Sequence, residues 1–162
     1  MLRISRLTDY AIVVMSYFGH ADSGRYFSAV ELAECSQLPR PTVGKLLKTL
    51  AKCGLLASRR GPAGGYCLTR RPHEIAITDI IQAIEGPIAL TDCSRPEAHT
   101  CEIESGCPVR SNWMRINARV VDALRGLTLD EMATPLPLMD ETNPVQSPYA
   151  SSNLVELSSL RK

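Results

Sequence analysis

Residues 7–19, LTDYAIVVMSYFG, set apolar side chains at the spacing of one helix face, with Thr8 or Asp9 placed to cap the start. The pattern predicts a buried first helix. Ser28-Ala29-Val30-Glu31 has the form of a capping box and opens a second helix, SAVELAECS, ending near Gln37-Leu38-Pro39. Pro41 and Thr42 open a third, PTVGKLLKTLAKCG, with Val43, Leu46, Leu47 and Leu50 on one face, Lys45, Lys48 and Lys52 elsewhere, and Gly54 as terminator. Two short helices across a tight turn predict a helix-turn-helix.

After Gly54 the period changes. LLASRRGPAGGYCLT reads as two short strands around the turn-forming block Gly61-Pro62-Ala63-Gly64-Gly65, a two-stranded wing. Residues 77–85, ITDIIQAIE, form a further helix capped by Thr78 or Asp79. Residues 108–125, PVRSNWMRINARVVDALR, start with a proline and align Trp113, Ile116, Val120, Val121 and Leu124 along one side. Such a helix either forms the seam between two copies or packs back on its own domain. Beyond about residue 134 the Pro-, Ser- and Asn-rich composition predicts a disordered tail. The expected fold is mainly α with a small β-wing. A winged helix-turn-helix spans 1–76, a cysteine loop and a long C-terminal helix suited to dimerisation span 77–133, and the tail spans 134–162.

Composition narrows the class. With 162 residues, 44% of them hydrophobic and 22% charged, the chain can bury one good core. Asp9 interrupts the N-terminal apolar run, no small-residue cleavage site follows, and no apolar run is long enough to span a bilayer. The expectation is a cytoplasmic protein with no membrane partner. Thiols stay reduced there, so the six cysteines point to metal or redox chemistry in place of a disulfide framework. The net charge of +1 conceals an asymmetry: residues 1–73 carry 11 Lys+Arg against 4 Asp+Glu, and residues 74–162 carry 7 against 13. A basic half joined to an acidic half suits a polyanion partner, most simply double-stranded DNA.

The candidate DNA contacts follow. Arg40, Thr42, Lys45 and Lys48 occupy the third helix, where small or polar residues face base edges and cations face phosphates. Arg59 and Arg60 precede the glycine-rich turn, whose Gly64 and Gly65 let the backbone approach a phosphate or the tip enter the minor groove. No Ser/His/Asp set or phosphate loop accompanies His20 or His73, so no enzyme activity and no small-molecule substrate are expected.

The stretch CSRPEAHTCEIESGC holds Cys93, Cys101 and Cys107 at a C-x7-C-x5-C spacing, too wide for paired zinc knuckles and unlike ferredoxin runs. Gly106 and Pro108 shape the loop, and of its apolar side chains only Ile103 competes for burial. Spacing alone leaves three readings open: ligands of an iron-sulfur cluster, a zinc site, and a bare thiol sensor. His99 and Glu102 either ligate or face water. Cys35, Cys53 and Cys67 have apolar neighbours in the chain and are expected in the core as small hydrophobes.

LTDYA, the helix pair, the wing RGPAGGYCL and the three-cysteine loop together resemble the IscR-type family of winged-helix iron-sulfur regulators, over about the first 130 residues. RGPAGGY is the most specific motif, and the likeness is greatest to members that control the SUF cluster-assembly operon. The resemblance implies a repressor that binds palindromic promoter DNA as a homodimer, with a recognition helix in the major groove and a wing arginine, by position Arg60, in the minor groove. It implies that Thr42, Gly44 and Lys45 face bases. Gly44 departs from the carboxylate of one branch, which puts the operator sequence in doubt. It further implies an iron-sulfur cluster, of the two-iron or four-iron kind, on Cys93, Cys101 and Cys107, whose occupancy gates DNA affinity. A histidine fourth ligand of one branch is replaced here by Arg110. Another branch uses an aspartate, whose match is Asp9 of the partner subunit, though a helix-cap aspartate would look the same.

Overall fold

The computed structural model describes residues 4–21, 24–61, 64–95, 101, 103 and 106–133. The tail beyond residue 133 expected to be disordered, and His99 and Glu102, lie outside the described residues.

Helix α1 (Arg6–Gly19) buries Thr8, Ala11, Val14, Met15 and Phe18. Its cap is neither Thr8 nor Asp9 but Ser5, which is extended and accepts from the Thr8 N–H at 3.2 Å. Thr8 is thereby free to turn inward. Its hydroxyl donates to the carboxylate of Glu85, which also accepts from the Ser5 N–H at 2.9 Å. Helix α2 (Ala29–Ser36) is capped as its sequence predicts, Ser28 accepting from the Glu31 N–H at 3.1 Å. Glu31 spends its own carboxylate on Arg25, at 2.7 Å. Gln37 then takes a left-handed conformation, with φ 56°, and the chain turns at once into α3 (Arg40–Lys52). Leu32 and Ala33 of α2 meet Val43, Leu46, Leu47 and Leu50 of α3 in the core.

Strands β1 (Leu56–Arg59) and β2 (Gly65–Leu68) pair antiparallel, Leu56 opposite Leu68, Ala57 opposite Cys67, Ser58 opposite Tyr66 and Arg59 opposite Gly65. Phe27 adds a bridge on the free edge of β2, exchanging two 2.9 Å backbone hydrogen bonds with Tyr66. Opposed residues share a face of such a sheet. Phe27, Leu56 and Leu68 face the core, where Phe27 meets Phe18 edge-on with centroids 5.0 Å apart.

Helix α4 (Ile77–Glu85) has no side-chain cap, contrary to the expectation for Thr78 or Asp79. Thr78 is buried and Asp79 pairs with Arg70 at 2.9 Å. The first helical N–H, of Ile77, is taken instead by the Leu127 carbonyl at 2.9 Å, and Leu129 N–H returns to the Ile75 carbonyl at 2.8 Å. This strand-like bridge does for the helix end what a capping side chain otherwise does. Ile77, Ile80 and Ile81 share the core of α1–α3.

Helix α5 (Arg110–Arg125) starts two residues after Pro108 and buries no residue fully. A short α6 (Leu129–Ala133), which the sequence patterns do not announce, seats Leu129 in the core and sets Ala133 so close to α1 that a Cβ on Gly19 would lie 2.8 Å from it. Among the described residues no helix is long and apolar enough to cross a membrane.

Candidate nucleic-acid interface and cysteine loop

The burial of Val43, Leu46, Leu47 and Leu50 fixes the roll of α3, and the opposite side therefore faces out. Arg40, Lys45, Lys48 and Lys52 are exposed there, with Thr42 and Gly44 half-buried. Lys45 and Lys48 make no ion pair among the described residues, whereas Arg40 pairs with Glu34 of α2 at 3.0 Å. Both members of that pair are open to solvent, where such contacts are worth about 0–1 kcal/mol, so a phosphate can exchange for the carboxylate.

Beside α3 stands the wing. Arg59 ends β1, and the exposed Arg60 and Gly61 carry the chain into the turn. The glycines have an internal reason to be there. A Cβ on Gly64 would run into the Arg59 carbonyl, and one on Gly65, at φ +148°, into the Phe27 carbonyl. They close the turn and admit the Phe27 bridge; approach to a phosphate is not needed to account for them. Arg59 also reaches sideways: its guanidinium lies over the ring of Tyr26, 4.5 Å from the centroid.

The cysteine loop begins where α4 stops at Gly86. Asn117 of α5 holds the segment, accepting from the Leu90 N–H at 3.0 Å and donating to the Ile88 carbonyl at 3.2 Å. A single 3₁₀ turn, Asp92–Ser94, then carries Cys93, whose sulfur lies 3.2 Å from the Thr91 hydroxyl. Cys93, Cys101 and Cys107 are all free and half-buried. As donors, three thiols suit a soft metal centre. Among the described residues no three His, Cys, Asp or Glu side chains gather closely enough to hold an ion. Asp9 is exposed on the first turn of α1.

The remaining thiols differ from expectation. Cys35 and Cys53 are exposed, because they fall on the outer side of their helix ends although their chain neighbours are apolar. Cys67 is buried at 8% exposure, but on the outer face of the wing, apart from the main core. Sequence reasoning also missed Tyr26, which carries no motif and acquires its place only through the Phe27 bridge.

A family model described as Rrf2, an iron-dependent transcriptional regulator, matches residues 4–135. The chain belongs to the Rrf2 family. This Rrf2 chain is 36% identical over 133 residues to the HTH-type transcriptional regulator IscR of Vibrio parahaemolyticus, covering 82% of this chain and 78% of that protein. Against IscR of Pectobacterium atrosepticum it is 31% identical over 135 residues, 81% of this chain and 79% of the relative. Its fold is similar to that of CymR, described as the global cysteine regulator of B. subtilis. The TM-score is 0.64 at 29% identity, covering 82% of this chain and 97% of that one. The T. potens IscR structure matches with a TM-score of 0.61 at 27% identity, over 81% and 85% of the two chains. The Rrf2 chain is thus an IscR-type, DNA-binding transcriptional regulator and not an enzyme, and its two-stranded sheet is the wing of that fold.

Proposed function

We propose that this Rrf2 regulator represses iron-sulfur assembly genes by binding palindromic promoter DNA as a homodimer, and that the thiols of the 93–107 loop set its affinity. Residues 1–76 read the duplex and residues 77–133 carry the loop and the pairing helix. The observation that carries the reading is the rolled recognition helix: its aliphatic side is locked in the core while Lys45 and Lys48 face out, and the first wing strand, which ends in Arg59, packs against the same helix. The contacts are those of the outward α3 face, Arg40, Thr42, Lys45 and Lys48, with Arg60 entering the minor groove and Arg59 on a phosphate. Pairing through α5 is supported by Trp113 and Ile116, which stand 39% and 46% exposed beside Met114 on a helix that buries no residue fully.

The proposed cofactor is an iron-sulfur cluster on Cys93, Cys101 and Cys107, with Asp9 of the partner subunit as a fourth ligand. Donor chemistry and the family's description as iron-dependent support it. The likeness to the Staphylococcus aureus CymR oxidized form favours a second reading, a cluster-free thiol sensor. A zinc-stapled loop is the third.

One preparation distinguishes them. Protein purified without oxygen is assayed for iron, acid-labile sulfide and zinc, and titrated with a duplex selected from a random pool. Iron with sulfide in the wild type and neither in Cys101→Ala is the expected result, with DNA affinities that differ about 5- to 150-fold between the two proteins. Zinc without sulfide selects the stapled loop. Metal-free protein whose affinity follows thiol oxidation selects the sensor. Equal affinity of wild type and Cys101→Ala under every condition ends thiol control altogether.

A further inference from the structure

Between α4 and α5 lies a cavity of about 540 Å³ in which the DNA-facing side of α3 has no part. Its walls are Ile81 of α4, Ile88 and Leu90 of the segment beyond Gly86, and Trp113, Val120 and Leu124 of α5. Small-molecule sites have this character: roughly 300–1,000 Å³, mostly apolar, with a few polar groups that orient the ligand. Asn117 braces the walls, accepting from the Leu90 N–H and donating to the Ile88 carbonyl, and so holds the segment along α5. None of the three loop thiols lines the cavity among the described residues.

Two charged groups line the same space, Glu85 at the end of α4 and Arg95 just after the turn that carries Cys93. They do not pair with each other. The Ser5 N–H and the Thr8 hydroxyl both bond Oε1 of Glu85, and neither its Oε2 nor the Arg95 guanidinium has a partner among the described residues. A carboxylate oxygen and a guanidinium set over apolar walls are the complement of a zwitterion with an apolar body.

We propose that this cavity binds a free α-amino acid with a large apolar side chain, its ammonium on Glu85, its carboxylate on Arg95 and its side chain against the aliphatic walls and Trp113. The guanidinium offers a carboxylate a forked pair of donors. Glu85 repels a simple anion and Arg95 a simple cation, so only a molecule that carries both charges gains at both groups. Ile81 lines the cavity and also belongs to the core that fixes α3, so the ligand rests directly on the packing beneath the recognition helix. The site uses no thiol and no DNA contact, and its failure leaves the proposed promoter reading untouched.

Trp113 is the single tryptophan of the chain, so its emission reports on the cavity. The full chain is titrated with phenylalanine, with phenylpropanoate, which lacks the ammonium, and with phenethylamine, which lacks the carboxylate. Phenylalanine should give a saturable change of emission below about 10 mM, and each analogue should bind roughly tenfold or more weakly. Saturation-transfer NMR on the ligand resonances decides the matter if the emission is insensitive. Arg95→Gln should bring phenylalanine down to the level of phenethylamine without weakening phenethylamine itself. Glu85→Gln should do the same relative to phenylpropanoate. Thermal melts confine the comparison to folded variants, and Arg95→Gln alone is read if Glu85→Gln unfolds. Absence of phenylalanine binding by both methods overturns the proposal, and so does equal affinity for the three probes, which marks an apolar sink only. Emission that follows protein concentration and ignores every probe overturns it in favour of a second copy of this chain over the cavity.

Discussion

Glu85 is exposed, yet its carboxylate joins two helices. The Thr8 hydroxyl first, then the Ser5 N–H, hold its pKa below the ordinary carboxylate range. A carboxylate depressed on folding contributes stability that is present above its unfolded pKa of about 4.3 and is lost as pH falls through the lower folded value. Melting temperatures measured from pH 7 downward should therefore fall more steeply below about pH 4.5 in the wild type than in Glu85→Gln. Thr8→Val should cost about 1 kcal/mol at neutral pH and flatten the same slope; an unchanged slope would show that the contact contributes nothing. The pair also marks a limit of sequence reading. Thr8 has the look of a local cap, but its partner lies 77 positions away, and no local pattern carries that separation. Cys35 and Cys53 went the same way: apolar neighbours in the chain say nothing about which side of a helix end a thiol occupies.

Elements that bury one face were legible, because periodicity records the burial directly. The lysines of α3 could be placed outward from Val43, Leu46, Leu47 and Leu50 alone, and the structure agrees. The α2 cap was legible for a similar reason, its signal being complete within four residues. The bounds of α4 were legible as well, but what satisfies its first N–H was not, since the Leu127 carbonyl comes from far along the chain. The wing was half legible. Its turn glycines signalled a hairpin, while the Phe27 bridge that makes the hairpin part of the core left no mark. Gly65→Ala brings a methyl against the Phe27 carbonyl at a positive φ, so it should destabilise the protein by about 1–3 kcal/mol. Denaturant unfolding measures this, and the Phe27 and Tyr66 amides should lose hydrogen-exchange protection ahead of the rest of the wing. A substitution without effect would mean that the sheet edge readily gives way.

For the whole molecule, the division between a basic half and an acidic half is visible in charge counts before any fold. Whether the exposed side of α5 pairs with a second copy is not written in one sequence. If Trp113 and Ile116 form the seam, Trp113→Glu should convert a dimer to a monomer by sedimentation at micromolar concentration and weaken binding to a two-half-site duplex while sparing the melt. A variant that stays dimeric moves the seam elsewhere. For the three-thiol loop, sequence spacing offers donor chemistry but does not say whether the thiols converge.

The bridge between Ala76 and Thr128 joins the two ends of the segment that contains the thiols and α5. That segment is thus a closed excursion of roughly fifty residues, returning to its point of departure and anchored at both ends in one core. A protease nick anywhere along the excursion would sever the backbone without parting the fragments, since Ile77, Ile80 and Leu129 would still clasp one another.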